Sequence, residues 1–155
     1  MDADLVADMR TQHAAPLAQA LGSTFYADPQ AIQDAVRRRT SFNLIHLETM
    51  FKVDIFVAKM RHFDRSQLTR RQLHTVSDDP ERRLYVVSAE DIVLAKLHWY
   101  QLGGGTSDRQ WQDVLGVLKV QDERLDWDYL RYMAQELQVT HLLQRAHQEA
   151  SAVNH

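Results

Sequence analysis

Three aspartates carry the strongest chemical signal in the sequence. Asp2 and Asp4 fall in the segment 1–7, where acids alternate with Ala, Leu and Val. Read as a strand, it places both carboxylates on one face, about 7 Å apart, with Ala3 and Leu5 on the other. Asp54 interrupts the run Val53, Ile55, Phe56, Val57. That run predicts a strand buried on both faces, in which a lone carboxylate would cost several kcal/mol or shift its pKa unless something compensates it. Three carboxylates brought together form a hard oxygen site of the kind magnesium or manganese prefers, with phosphate oxygens free to complete the shell. Taken singly, the plainer readings are a strand-end Asp54 that reaches solvent or pairs with a neighbouring arginine, and a solvated terminus for Asp2 and Asp4.

Lys96 is the next candidate. It sits in Ile92–Tyr100, a segment apolar nearly all round, where Val93, Leu97 and Tyr100 share its face by helical spacing. A lysine there either snorkels its stem over apolar surface or meets an anion. Asp113 is the natural partner on the following helix, four residues after Arg109. The stretch 59–83 holds seven basic residues against four acids and is the most basic in the chain. A solvated charged loop is the plainer reading.

The elements that must position these residues can be read in order. Residues 11–21 predict a helix stopped at Gly22; Phe25-Tyr26 a short strand; Ala31–Arg38 a helix capped by Asp28 with Pro29 at its first position. Residues 42–47 and 51–57 read as strands of a hairpin through Glu48-Thr49-Met50. Residues 59–83 read as loop with a helical turn, and 84–87 as a last strand. Ser88 and Ser107 open two helices in capping-box patterns, the first broken by Gly103-Gly104-Gly105, and 127–137 and 141–149 add two more. Strands mixed with helices and then helices alone predict an α/β (α+β) fold: a mixed sheet core over 1–87, a helical region over 88–150 packed on it in the same domain, and a disordered tail at 151–155.

Composition narrows the alternatives. The chain has 155 residues, 45% hydrophobic and 25% charged, the mixture of a folded globular protein. A net charge of −3 gives no global field for a polyanion, so such a partner must be held locally. Without cysteine there is no disulfide, thiol nucleophile or cysteine-based metal site. The eight histidines form no His-Glu-x-x-His pair, the glycine triplet lacks the Lys-Ser/Thr of a phosphate loop, and no Gly-x-Ser-x-Gly elbow or Arg-x4-His ribonuclease pattern occurs. Trp99, Tyr100, Trp111 and Trp127 read as core rings. An acidic N-terminus and the lack of a long apolar run predict a cytoplasmic location with no membrane partner.

The segments Asp2-x-Asp4-Leu5, Lys52-Val53-Asp54-Ile55-Phe56, Ser88-Ala89-Glu90-Asp91-Ile92-Val93-Leu94-Ala95-Lys96 and Arg109-Gln110-Trp111-Gln112-Asp113-Val114 span nearly the whole chain. Together they resemble bacterial nucleotidyltransferase-like proteins related to the abortive-infection toxins of the AbiEii type. The resemblance implies Asp2, Asp4 and Asp54 as metal ligands and catalytic residues, Lys96 and Asp113 in support, and Lys96 and Arg109 near a bound nucleotide. It implies magnesium or manganese as cofactor, a nucleoside triphosphate as substrate, and an RNA acceptor or antitoxin protein as partner. The family pattern also has a strand and a Gly-Ser or Gly-Gly helix start before the paired aspartates. The sequence does not carry it, and Gly22-Ser23, downstream of them, does not replace it. The expectation is therefore either a start codon assigned late or a catalytically degenerate interaction protein of the same fold.

Overall fold

The computed structural model describes residues 2–78 and 80–152, with the backbone alone for Asp2. The fold is mixed α/β with a helical C-terminal half, and it forms two compact units, Met1–Arg65 and Ser66–His155.

The first unit is a four-stranded sheet with helices on one face. Its strands are β1 (Asp2–Ala7), β2 (Phe25–Tyr26), β3 (Ser41–His46) and β4 (Lys52–Val57), in the order β1-β4-β3-β2. β3 and β4 form the expected hairpin, and β1 adds to β4 in parallel. The β3–β4 turn is held by His46 Nδ1 and Thr49 Oγ1, 2.8 Å apart. Between β1 and β2 runs a 3-10 turn, Thr11–His13, leading into α1 (Ala14–Leu21). α1 ends at Gly22, whose φ of 53° and ψ of −134° lie where a side chain would be strained. α2 (Pro29–Arg38) starts on the Asp28 cap, whose carboxylate accepts the Gln30 N–H at 2.9 Å. Arg39 follows in the left-handed conformation, its guanidinium donating to the Ala58 carbonyl.

Strand alternation then sorts the side chains. Phe42, Leu44, Ile55 and Val57 point to one face and bury against Met9, Ala14, Ile32, Ala35 and Val36. The other face takes the remaining positions of the same strands, Asp4, Asn43, Lys52 and Asp54 among them. β4 is therefore not the doubly buried strand that its sequence predicts.

The second unit holds what reads in sequence as a loop. α3 (His62–Arg70) crosses the boundary between the units, and β5 (Gln72–Asp78) and β6 (Glu81–Val86) form a separate two-stranded antiparallel sheet with a register shift between Thr75 and Ser77. The last predicted strand, 84–87, belongs to β6. Beyond it come α4 (Ala89–Leu102), α5 (Asp108–Gln121), a 3-10 turn at Asp122–Arg124, α6 (Trp127–Glu136) and α7 (Thr140–Ala152). Ser88 and Ser107 are the caps of α4 and α5, accepting from the N–H groups of Asp91 and Gln110. The helices bury Val93, Leu94, Leu97, Val114, Leu118, Leu130 and Met133 almost completely. Ser151 and Ala152, expected in a tail, close α7; residues 153–155 lie outside those described. Among the described residues no helix is long and apolar enough to cross a membrane.

Candidate functional site

The acidic face of the first unit is built by register. Asp4 and Asp54 are direct partners across the parallel β1–β4 pair, and Asp2 stands opposite Lys52 two positions earlier. Neighbouring strands lie about 4.8 Å apart and directly paired residues share a face, so the carboxylates of Asp4 and Asp54 project side by side. Asn43 is the antiparallel partner of Asp54 on its other flank. Asp4 and Asn43 are exposed and Asp54 half-buried. The side chain of Asp2 lies outside the described residues.

The compensation for Asp54 is local. Lys52, two residues earlier on the same strand face, places its Nζ 2.9 Å from Asp54 Oδ2. Asp54 is thus partly exposed and paired with a lysine, where the sequence suggested a carboxylate buried on both faces of the strand. Asp54 Oδ1 has no hydrogen bond among the described residues. Among those residues no group of three His, Asp or Glu side chains is placed to hold a metal. Asp4 and Asp54 supply two hard oxygen ligands, a set that suits magnesium with water or phosphate in the remaining positions.

The other expected residues lie in the second unit. Lys96 Nζ donates to Asp113 Oδ2 at 2.8 Å and to Gln110 Oε1 at 3.2 Å, joining α4 to α5. Arg109 is exposed in the first turn of α5. Of the four rings read as core, Trp111 alone is fully buried, its Nε1 donating to Glu149 at 2.8 Å; Trp99, Tyr100 and Trp127 are half-buried. Three arginines of the basic stretch face acids: Arg61 meets Asp64, Arg70 meets Glu90, and Arg83 meets Glu81.

A denser cluster went unread in the sequence. Asp91, in the first turn of α4, is fully buried. Its Oδ1 accepts the Tyr129 hydroxyl at 2.6 Å and its Oδ2 the Ser88 hydroxyl at 3.0 Å. Ser66 Oγ lies 2.9 Å from the same Tyr129 oxygen and, since that proton is committed to Asp91, donates to it. The Arg70 guanidinium stacks 3.8 Å over the Tyr129 ring, with its Nε 3.7 Å from Asp91 Oδ2. Burial pushes the Asp91 carboxyl above its usual range, against the pull of Tyr129, Ser88 and Arg70. Burial and the bond to Asp91 push the Tyr129 phenol upward too, so it remains a donor. At Glu90 burial acts upward but is outweighed: the Asp126 N–H at 3.0 Å, with Ser88 and Arg70, holds that carboxyl below its ordinary value. The one local signal for the cluster was the Ser88-x-x-Asp91 pattern at the start of an otherwise apolar helix.

Comparison with protein-family models, with curated proteins and with solved structures returns no match.

Proposed function

We propose that the open face of β1 and β4 binds a divalent cation and that the chain is a nucleotidyltransferase-like protein acting on a nucleoside triphosphate. The observation that carries this reading is the direct pairing of Asp4 with Asp54, two carboxylates from distant parts of the chain on one accessible sheet face. Asp4 and Asp54 would hold the cation. When bound, magnesium or manganese supplies charge neutralisation of the phosphates and a lowered pKa for an attacking hydroxyl. In the transfer, an acceptor oxygen bonds to the α-phosphorus, the bond to the bridging oxygen breaks, and pyrophosphate leaves. Asp54 would be the residue closest to that hydroxyl and would take its proton. The Lys96 ammonium is already met by Asp113 and Gln110, which supports a tie between α4 and α5 in preference to a phosphate contact.

One observation favours a second reading, a non-catalytic interaction protein of the same fold: Lys52 already neutralises Asp54. Calorimetric titration with magnesium and with magnesium plus ATP or GTP separates the two. The catalytic reading expects binding that Asp54→Ala and Asp4→Asn weaken at least about tenfold and Lys52→Ala strengthens. Equal binding by wild type and Asp54→Ala, or none by any of them, rejects it.

A further inference from the structure

We infer that the β5 edge is a docking site for an extended peptide carrying an acidic side chain, which binds by adding a third strand along the adjoining cleft. The observations come from the second unit alone and are independent of the reading given to Asp4 and Asp54. Among the described residues neither β5 nor β6 has a further strand partner, so each leaves a row of backbone donors and acceptors unpaired. The two edges differ. β6 carries Glu81, Arg82 and Arg83 at one end, charges of the kind that discourage strand addition, and the uncharged Leu84-Tyr85-Val86 opposite Gln72–His74, whereas β5 from Gln72 to Ser77 has no Lys, Arg, Asp, Glu or Pro anywhere along it. Among the described residues, β5 also lines a cavity. A cleft of about 700 Å³ is lined by Gln72 and His74 of β5, by the start of α4 and by α5, and by no residue of β6. The ladder is regular from Gln72 to Thr75 before the register shift, which defines the usable length of edge.

The cleft then specifies side-chain chemistry. On α5 it contains Gly116, Val117 and Val120, the last 76% exposed. Gly116 stands inside a fourteen-residue helix, where glycine is less favourable than alanine by about 1 kcal/mol. Apart from its chain neighbours and the backbone of its own helix, no atom lies within 4 Å of the position its Cβ would occupy. That opening lets an apolar side chain approach the helix backbone. For charge, Glu90 is already engaged by the Asp126 N–H and Arg70, while Arg124, exposed on the rim, makes no hydrogen bond or ion pair among the described residues. A carboxylate is the group that answers it. An extended backbone, an apolar side chain over Gly116 and an acid at Arg124 together describe strand addition with side-chain selection.

The test is selection of a random displayed dodecapeptide library on the full chain, followed by anisotropy measurements with the synthesised winners. The expected winners alternate apolar residues and include an acid. Their affinity should fall at least about tenfold with the exposed substitution Arg124→Glu, and as much when alternate peptide nitrogens are methylated. N-methylation leaves the protein untouched, so that arm does not depend on how a variant folds. Amide exchange should slow at residues 72–75 on binding. Failure to enrich such a pattern, or binding indifferent to both Arg124→Glu and N-methylation, overturns the proposal.

Discussion

Tyr129→Phe tests the physical account of the second unit directly. The substitution deletes one oxygen and leaves the ring, so the Arg70 guanidinium 3.8 Å above it keeps its π-face. What is lost is the 2.6 Å bond to a carboxylate with no exposed surface. A hydrogen bond to a buried charge contributes about 1.5–3 kcal/mol, and Asp91 retains Ser88 as a donor, so a loss of about 2 kcal/mol is expected. With a urea slope of about 2 kcal/mol per molar, the midpoint falls by about 1 M. Trp99, Trp111 and Trp127 all lie in Ser66–His155, so tryptophan fluorescence follows this unit. The loss must also depend on pH. Burial raises the folded pKa of Asp91, so its ionisation opposes folding: the favourable contribution is complete below the unfolded value and fades as pH rises through the folded one. Tyr129 serves the ionised form. Its removal is therefore felt more at pH 8 than at pH 4. A penalty below about 0.5 kcal/mol at pH 8, or one equally large at pH 4, refutes the reasoning.

Three further outcomes follow from the same contacts. Ser88→Ala removes both the α4 cap and the second donor to Asp91 and should lower stability by about 1–2 kcal/mol in the same urea assay. Gly116→Ala should raise it by about 0.5–1 kcal/mol, because the added methyl meets open space; a loss would mean that the helix surface there is not open. Leu130→Ala, at a position with no exposure, should destabilise by about 2–5 kcal/mol, and a thermal midpoint close to wild type would place that residue outside the core.

Local chemistry was the legible part of the sequence. Asp28-Pro29, Ser88 and Ser107 announce helix starts because a cap depends on residues within one turn, and each is the cap in the structure. The β3–β4 hairpin is legible for the same reason. The segment 59–83 was not, because none of its three elements, α3, β5 and the start of β6, has the one-sided apolar pattern that marks a packed element. Most of β5 and all of β6 are exposed, and α3 buries Asp64 and Gln67 beside Phe63, so polar residues occupy inward positions. Asp54 misled for a related reason: Phe56 shares its face, which makes the strand look apolar on both sides, while the lysine that answers the charge lies two residues back. The parallel pairing of β1 with β4 spans the α1–β3 region, and no local rule fixes a register over such a distance.

The two acidic groupings also separate perturbation from function. Asp91 has a raised pKa and a tyrosine, a serine and an arginine around it, the profile by which titratable groups are often nominated as catalytic. Yet it has no exposed surface, and both of its oxygens are occupied by donors from its own unit. A substrate atom would have to displace Tyr129 or Ser88 to reach it, leaving a buried carboxylate short of a partner and removing a helix cap. The cluster is therefore architecture, joining the end of α3 to the starts of α4 and α6. Asp4 and Asp54 present a different arrangement: Asp4 is exposed and Asp54 half-buried, the two paired through register, with Lys52 on Asp54. Accessibility, and not the size of a pKa shift, is the ground on which the proposed cation site is put at Asp4 and Asp54 and not at Asp91.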